Sequence, residues 1–269
     1  MSWERIAAAY FLYLFAVALA RPAFARVRRA VPGVAIVVGG LLALAHVTAR
    51  TGADPGLGRG LVWPAALLIV GYWVSGLFFV RPMEAVERRL LRLDERILGR
   101  TGVLRRYELA PRLVREGVEL SYLLVHLVVP AGALTLALGG AGHALDRFWA
   151  AVLLAGFTCY AVLPWIQTRP PRVLEPRLPA ATASGLVRQA NELVLRRASI
   201  HANTIPSGHA AVAVATALGV GAALPQAGAL LLVVAAGIVF ATVAGRYHYA
   251  LDSLLGVAVA VAAWMLVNG

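Results

Sequence analysis

Long runs of apolar residues alternate with short charged segments along the whole chain. Several of these runs approach the roughly 20 residues that a helix needs to cross about 30 Å of hydrocarbon. The pattern predicts an all-α fold, a polytopic transmembrane helix bundle of eight spans, or of seven if the short first run does not cross. The predicted spans are 5–20, 31–49, 61–80, 118–138, 147–166, 208–224, 227–245 and 249–267.

Two segments do not read as membrane spans. In residues 81–116, apolar residues recur at three- and four-residue spacing and arginines occupy the opposite face, which predicts an amphipathic helix. The apolar positions are Val86, Leu90, Leu93 and Ile97. Such a helix is either a solvated connection or lies on the membrane surface among anionic headgroups. Residues 167–206 form an insertion rich in proline and arginine, where we expect irregular backbone and function.

Composition supports a membrane protein. Hydrophobic residues make up 60% of the chain and charged residues 14%, against about 25% charged in soluble domains. The formal net charge is +12, and all of the basic residues are arginine. Because no segment alternates basic and aromatic residues, we expect membrane lipids and not nucleic acid as partners. The lone cysteine, Cys159, lies in an apolar span and is interpreted as packing.

The chain is predicted to have two parts. Residues 1–60 form an N-terminal accessory transmembrane segment of one or two spans, and residues 61–269 form the main membrane domain. A cleavable signal peptide at 1–25 is disfavoured, since no small-residue cleavage site follows the apolar run.

The first candidate for chemistry is Pro206-Ser207-Gly208-His209, which runs directly into an apolar span. Free backbone N–H groups and the positive end of the helix dipole favour a bound anion at such a helix start, and glycine lets the anion approach the backbone. His209 would then lie close enough to protonate a leaving group. An ordinary capped helix start is the alternative.

The second candidate lies at the mouth of the last span. His248 and Asp252 are four residues apart, so on a helix they share a face and can touch. A carboxylate bonded to one ring nitrogen of a histidine leaves the other nitrogen free as a nucleophile or base. A charged group this close to hydrocarbon also requires a reason. The alternative is a structural His–Asp pair that ties two helices together.

The third candidate is the segment 167–177, which follows a span and contains Arg169, Arg172 and Arg177. Guanidinium groups on a proline-stiffened loop can clamp a phosphate, although a headgroup-binding loop would have the same composition. If the spans alternate in direction, all three candidates fall on one side of the membrane. We therefore expect a clamp, an anion site and a histidine to meet on one face.

These stretches resemble the phosphatidic acid phosphatase type 2 superfamily. Residues 206–209 match its second signature stretch, and His248 with Asp252 matches the end of its third. The resemblance covers about residues 61–269 and implies a six-helix core and a lipid phosphate substrate, phosphatidate or a polyprenyl pyrophosphate. It implies hydrolysis without metal or other cofactor, in which His248 forms a phosphohistidine, Asp252 orients it and His209 protonates the departing alcohol. The implied phosphate ligands are Arg169, Arg172, Ser207, Gly208 and Arg246.

The chain departs from the family pattern at two places. The first stretch normally carries a lysine, and this chain has none; the third carries an arginine six residues before its histidine, where this chain has Thr242. In both changes the chain resembles the divergent branch that includes inositol-phosphoceramide synthase-like members. One alternative function is therefore a lipid phosphotransferase, in which an alcohol and not water accepts the phosphate. A non-catalytic lipid-binding or transport protein is another. A metal site would draw on His201, His209, His248 and Asp252, but these lack the short histidine spacing of zinc motifs.

The arginine distribution and the family resemblance predict opposite sides of the membrane for the candidate site. By sequence position, 21 of the 25 arginines lie on the predicted active-site side, which by the positive-inside tendency predicts a cytoplasmic site. The resemblance implies a multi-pass protein of the cell membrane with an extracytoplasmic site, and we follow it.

Overall fold

The computed structural model describes residues 1–51, 58–175 and 185–269, and these residues form helices joined by turns, with no strand among them. Arg177 lies outside the described residues. The helices that coincide with the predicted spans are α1 (Trp3–Ala20), α2 (Ala25–Thr51), α3 (Trp63–Gly76), α6 (Arg112–Leu123), α7 (Val125–Leu138), α8 (Leu145–Ala161), α11 (Gly208–Ala223), α12 (Pro225–Ala244) and α13 (Ala250–Asn268). The remaining helices are α4 (Glu84–Asp94), α5 (Val103–Glu108), α9 (Pro171–Leu174) and α10 (Leu186–Ala198).

Helix length and composition confirm an all-α, polytopic bundle. Within the described ranges, four helical segments are long and apolar enough to cross a membrane: Trp3–Ala20, Pro22–Arg50, Pro225–Ala244 and Ala250–Asn268. Helices α6 and α7 make a fifth if the pair is one span, although they meet at an angle of 60°. The straight span predicted at 118–138 is therefore bent. Its first half differs in chemistry from its second, because α6 carries Glu119, which bonds to α10, whereas α7 is apolar.

Helix α11 lies at the centre of the main domain and contacts α7, α8, α12 and α13. Most of its buried side chains are small, including Ala210, Ala211, Ala213 and Ala215. Small residues let membrane helices approach closely, which gains van der Waals contact where hydrophobic burial between helices has little driving force. The N-terminus of this central helix is the point around which the candidate residues gather.

The N-terminal helices are packed on the main domain. Helix α1 contacts α8 along its length, with the rings of Tyr10 and Phe157 stacked at 4.1 Å between centroids. At its far end the indole Nε1 of Trp3 donates to Asp146 at the start of α8. The division of the chain at residue 60 stays a prediction.

The charged segment 81–116 differs from the single amphipathic helix that its pattern predicts. Gly102, at φ +64°, separates α4 from α5. On α4 the buried positions are Glu87, Leu90 and Asp94, whereas Ile97 beyond its end is 37% exposed. The two acidic residues turn inward because arginines from the candidate site pair with them. The insertion 167–206 also differs from the irregular backbone expected, since it contains the helices α9 and α10.

Candidate active site

The start of α11 is built by local capping and by the absence of a side chain. The hydroxyl of Ser207 accepts from Ala210 N at 3.3 Å, and Gly208 N donates to the hydroxyl of Thr204 at 3.1 Å. A Cβ on Gly208 would lie 2.5 Å from a ring carbon of Tyr160, so no larger residue fits here without movement. This arrangement places His209 in the first turn of α11.

The turn between α12 and α13 presents His248. Its backbone is tight, because the N–H groups of Tyr247 and His248 both donate to the carbonyl of Thr242, at 2.9 and 2.8 Å. Arg246 has φ +60°, a left-handed conformation that is uncommon outside glycine and is held here by the surrounding contacts. The Thr242 hydroxyl shares a hydrogen bond of 2.8 Å with Ser253, so the residue that departs from the family pattern ties α12 to α13.

The two histidines are in direct contact. His209 Nδ1 lies 3.1 Å from His248 Nε2, and on the other side of the same ring His248 Nδ1 lies 3.8 Å from Asp252 Oδ2. The second distance exceeds a hydrogen bond and corresponds to a close electrostatic contact. With Nε2 unprotonated, His248 can accept from His209 while its Nδ1–H faces Asp252. That tautomer leaves a nucleophilic nitrogen on the side of His209.

The placement of the His–Asp pair differs in detail from the expectation. His248 is not on a helix: it precedes α13, and only Asp252 is within the first helical turn. Asp252 is fully buried, and its Oδ2 accepts from Asn203 Nδ2 at 2.8 Å and from Tyr249 N at 3.2 Å. The carboxylate is therefore fixed by the helix cap and by a neighbouring loop.

A buried network holds the residue that precedes His248. The phenol of Tyr247 donates to Glu119 at 2.5 Å, and its ring stacks on Tyr122 with 3.6 Å between centroids. Burial raises the pKa of Tyr247, and the carboxylate of Glu119 raises it further, so the phenol stays a donor. The guanidinium of Arg172 lies 4.9 Å from the centre of the same ring, a cation–π contact.

A cavity of about 270 Å³ opens beside the two histidines. Its wall contains four of the predicted site residues: Arg169, Arg172, His209 and His248. In the part of the chain that the structure describes, Arg172 forms no ion pair. Its charge is therefore available to an anion in the cavity. Three other predicted residues are outside the cavity wall. Two of them, Ser207 and Gly208, directly precede His209 in the chain, and the third, Asp252, is in contact with His248.

The other two predicted arginines are paired with carboxylates. Arg169 forms a two-point contact with Glu87, from Nε at 3.0 Å and from Nη2 at 2.7 Å, while a third of its side chain stays exposed at the cavity wall. Arg246 is buried and bonds to Asp94 at 3.0 Å and to Glu175. Its guanidinium is outside the cavity wall, so its position does not support the expected role as a phosphate ligand.

Several residues of the site carry no recognisable sequence signal. Asn203 bonds to both Asp252 and Thr168, and an isolated bridge between Thr168 and Asn203 joins the loop after α8 to the loop before α11. Glu87, Asp94 and Glu119 are also buried; the first two lie in the segment predicted as one amphipathic helix, and Glu119 lies in the predicted span 118–138. Among these residues, Glu87 carries a signal in the sequence, because it lies three residues before the apolar Leu90 and so shares a helix face with it.

Three separate segments thus meet at one end of the bundle, as predicted from alternating spans: the loop after α8, the start of α11 and the turn before α13. A family model described as the PAP2 superfamily matches residues 88–266. The chain belongs to the PAP2 superfamily. The match includes all eight predicted site residues and leaves α1 to α3 outside it. Comparison with curated proteins and with solved structures returned no significant match.

Membership of the PAP2 superfamily favours phosphatase-type activity on phosphate esters. Among the described residues, no group of three or more histidine, cysteine, aspartate or glutamate side chains could hold a metal ion.

Proposed function

We propose that this protein is a membrane-embedded lipid phosphatase that works through a phosphohistidine on His248. The observation that carries the proposal is the contact of 3.1 Å between His209 and His248 at the wall of a cavity that also presents Arg169 and Arg172. A nucleophile, a proton donor and fixed positive charge are the parts that phosphoryl transfer requires.

In the first step, the lone pair on His248 Nε2 attacks phosphorus. The P–N bond forms as the P–O bond to the leaving group breaks, and His209, in its protonated form, gives a proton to the departing oxygen. Asp252, 3.8 Å from Nδ1, stabilises the positive charge that develops on the ring. The leaving group is the lipid alcohol for a phosphomonoester such as phosphatidate, and the polyprenyl monophosphate for a polyprenyl pyrophosphate attacked at its terminal phosphorus.

In the second step, water replaces the lipid oxygen. His209, now neutral, takes a proton from the water as its oxygen attacks phosphorus. The P–N bond breaks, inorganic phosphate leaves and His248 is restored. The same histidine therefore acts first as an acid and then as a base, as microscopic reversibility requires.

Two sets of groups stabilise the negative charge on the phosphoryl oxygens. Arg172 and Arg169 stand on the cavity wall, and the N-terminus of α11, with Ser207 and Gly208, supplies the positive end of a helix dipole. Arg246 supports the turn that carries His248. The proposal follows the family resemblance in placing the site on the extracytoplasmic face of the membrane.

The test is phosphate release by purified protein in detergent with EDTA, from phosphatidate and from a polyprenyl pyrophosphate. We expect release by the wild-type protein, a loss of about 10⁴-fold or more in His248→Ala, and wild-type rates in the matched control His143→Ala. His143 is exposed and lies just before the start of α8, at the end of this helix that is far from the candidate site. A phosphoenzyme stable to base and labile to acid should form in the wild type and in His143→Ala, and should not form in His248→Ala.

Release that persists in His248→Ala would refute the phosphohistidine. If folded wild-type protein releases phosphate from neither lipid, phosphatase activity is refuted for these substrates. Lipid alcohols would then be added as acceptors, since transfer by the same histidine is the alternative that the missing lysine and Thr242 favour. Failure of transfer as well would leave a non-catalytic lipid-binding protein.

A further inference from the structure

Helix α4 buries two acids on the face that it turns toward the candidate site. Glu87 and Asp94 are each 2% exposed, and the buried Leu90 lies between them, so the spacing of three and four residues places all three on one helix face. A buried carboxylate is costly unless it is paired and hydrogen-bonded. The opposite face is exposed and carries arginines: Arg88, Arg89, Arg92 and, just beyond the helix, Arg96.

Glu87 fixes one arginine of the cavity wall. It accepts from Nε and Nη2 of Arg169 and also from Arg169 N, at 2.8 Å. Burial alone would raise the pKa of Glu87, but the hydrogen bonds from Arg169 outweigh it and hold that pKa below its ordinary value. The guanidinium has five N–H donors, of which this contact uses two, so three remain for a phosphoryl oxygen. Glu87 thus orients Arg169 without occupying it fully.

Asp94 fixes the turn that carries the nucleophile. Its Oδ1 accepts from Ala250 N at 2.9 Å, a free donor at the start of α13, and its Oδ2 accepts from Arg246 Nη1 at 3.0 Å. Arg246 and Ala250 lie two residues before and two residues after His248. One carboxylate therefore holds both sides of the residue that would attack phosphorus. Burial raises the pKa of Asp94 to about 6, against the hydrogen bonds from Ala250 and Arg246.

We propose that Glu87 and Asp94 are positioning residues, through which helix α4 sets the geometry of Arg169 and of the turn that presents His248. The proposal rests on the proposed function of the site and deepens it. Neither acid touches the substrate, and each acts through a residue that it holds. Because misplacement of a reacting group by about 1 Å can cost on the order of 100-fold in rate, these contacts should appear in kcat.

The experiment uses the isosteric variants Glu87→Gln and Asp94→Asn, with Glu95→Gln as the matched control. Glu95 has the same charge, follows Asp94 directly and is exposed. We expect kcat for phosphate release to fall by about tenfold or more in the two variants, with KM unchanged or lower, since removal of a negative charge does not weaken the hold on an anion. Glu95→Gln should stay within about twofold of the wild type.

A double-mutant cycle separates positioning from general damage. In the Arg169→Ala background, Glu87→Gln should change kcat by less than about twofold, because the residue through which Glu87 acts is gone. A merely structural role would give the same loss in both backgrounds, and that result would overturn the proposal. A loss in Glu87→Gln and Asp94→Asn no larger than in Glu95→Gln would overturn it as well.

Binding of orthovanadate, measured by calorimetry, tests the proposal without turnover. Vanadate adopts the geometry of the phosphoryl transition state, so its affinity should fall by about tenfold in Glu87→Gln and not further in the Arg169→Ala background. If the wild type binds vanadate but releases no phosphate from either lipid, the proposed function fails while the cycle in vanadate affinity still decides on positioning. Equal vanadate affinity of wild type and Glu87→Gln would refute positioning by Glu87.

Discussion

The replacement Gly256→Ala should separate the two helices that carry the histidine site. Gly256 lies on α13 against the first turn of α11, and a Cβ at this position would be 2.5 Å from the backbone oxygen of Ser207 and 3.1 Å from the Cβ of Ala210. The oxygen belongs to the backbone and cannot rotate away. Reaching an ordinary contact of 3.4 Å therefore requires a shift of about 0.9 Å between the helices.

That shift acts directly on the reacting groups. Ser207 N donates to the carbonyl of Asp252 at 2.8 Å, and the 3.1 Å contact between His209 and His248 joins α11 to the turn that precedes α13. A displacement of this size should lower kcat on the order of 100-fold. Overpacking costs about 1–3 kcal/mol, offset by the roughly 1 kcal/mol that alanine gains over glycine inside a helix, so the loss of stability should be modest.

The assay is the initial rate of phosphate release per folded molecule, together with thermal denaturation in detergent. Two further glycine-to-alanine variants serve as controls. Gly39 on α2 has no atom within 4 Å of the added Cβ, so Gly39→Ala should keep the wild-type rate. Gly228→Ala would place its Cβ 2.1 Å from Gly221 Cα at the other end of α11, so it should lose stability but keep the rate. A wild-type rate in Gly256→Ala, or an equal loss in Gly228→Ala, would refute this reasoning.

Two other predictions follow from the same contacts. Glu119→Ala leaves Arg188 and Tyr247 without their buried acceptor. The free energy of unfolding should fall by about 3–5 kcal/mol and the melting temperature on the order of 10 °C. A melting temperature equal to that of the wild type would contradict this prediction. The native Cys159 is buried in α8 and should not react with a maleimide. If the site is extracytoplasmic, an impermeant maleimide applied to intact cells should label Glu95→Cys, which lies on the site side, and should leave His143→Cys unlabelled. The reverse pattern would show that the arginine distribution predicts its side correctly.

The spans and the histidine motif were predictable because their signals are local. A run of apolar residues long enough to cross a bilayer must form a helix, since hydrocarbon offers no partner to the backbone. Because successive spans alternate in direction, the segments around Arg169, His209 and His248 are predicted to lie on one side. The bend between α6 and α7 has no such local signal, because it depends on the distant residues with which the charged half of the span pairs.

The pairing of the arginines was decided by tertiary structure alone. Arg169 and Arg246 have the same chemistry in the sequence, yet one faces the cavity and the other is enclosed by carboxylates. Their partners, Glu87 and Asp94, are separated from them by 82 and 152 positions along the chain. No periodicity encodes a contact at such distance. The sequence by itself determined that arginine and histidine side chains gather at one end of the bundle. The packing of α4 determined which arginine keeps an exposed side at the cavity, because each buried carboxylate must take a cation.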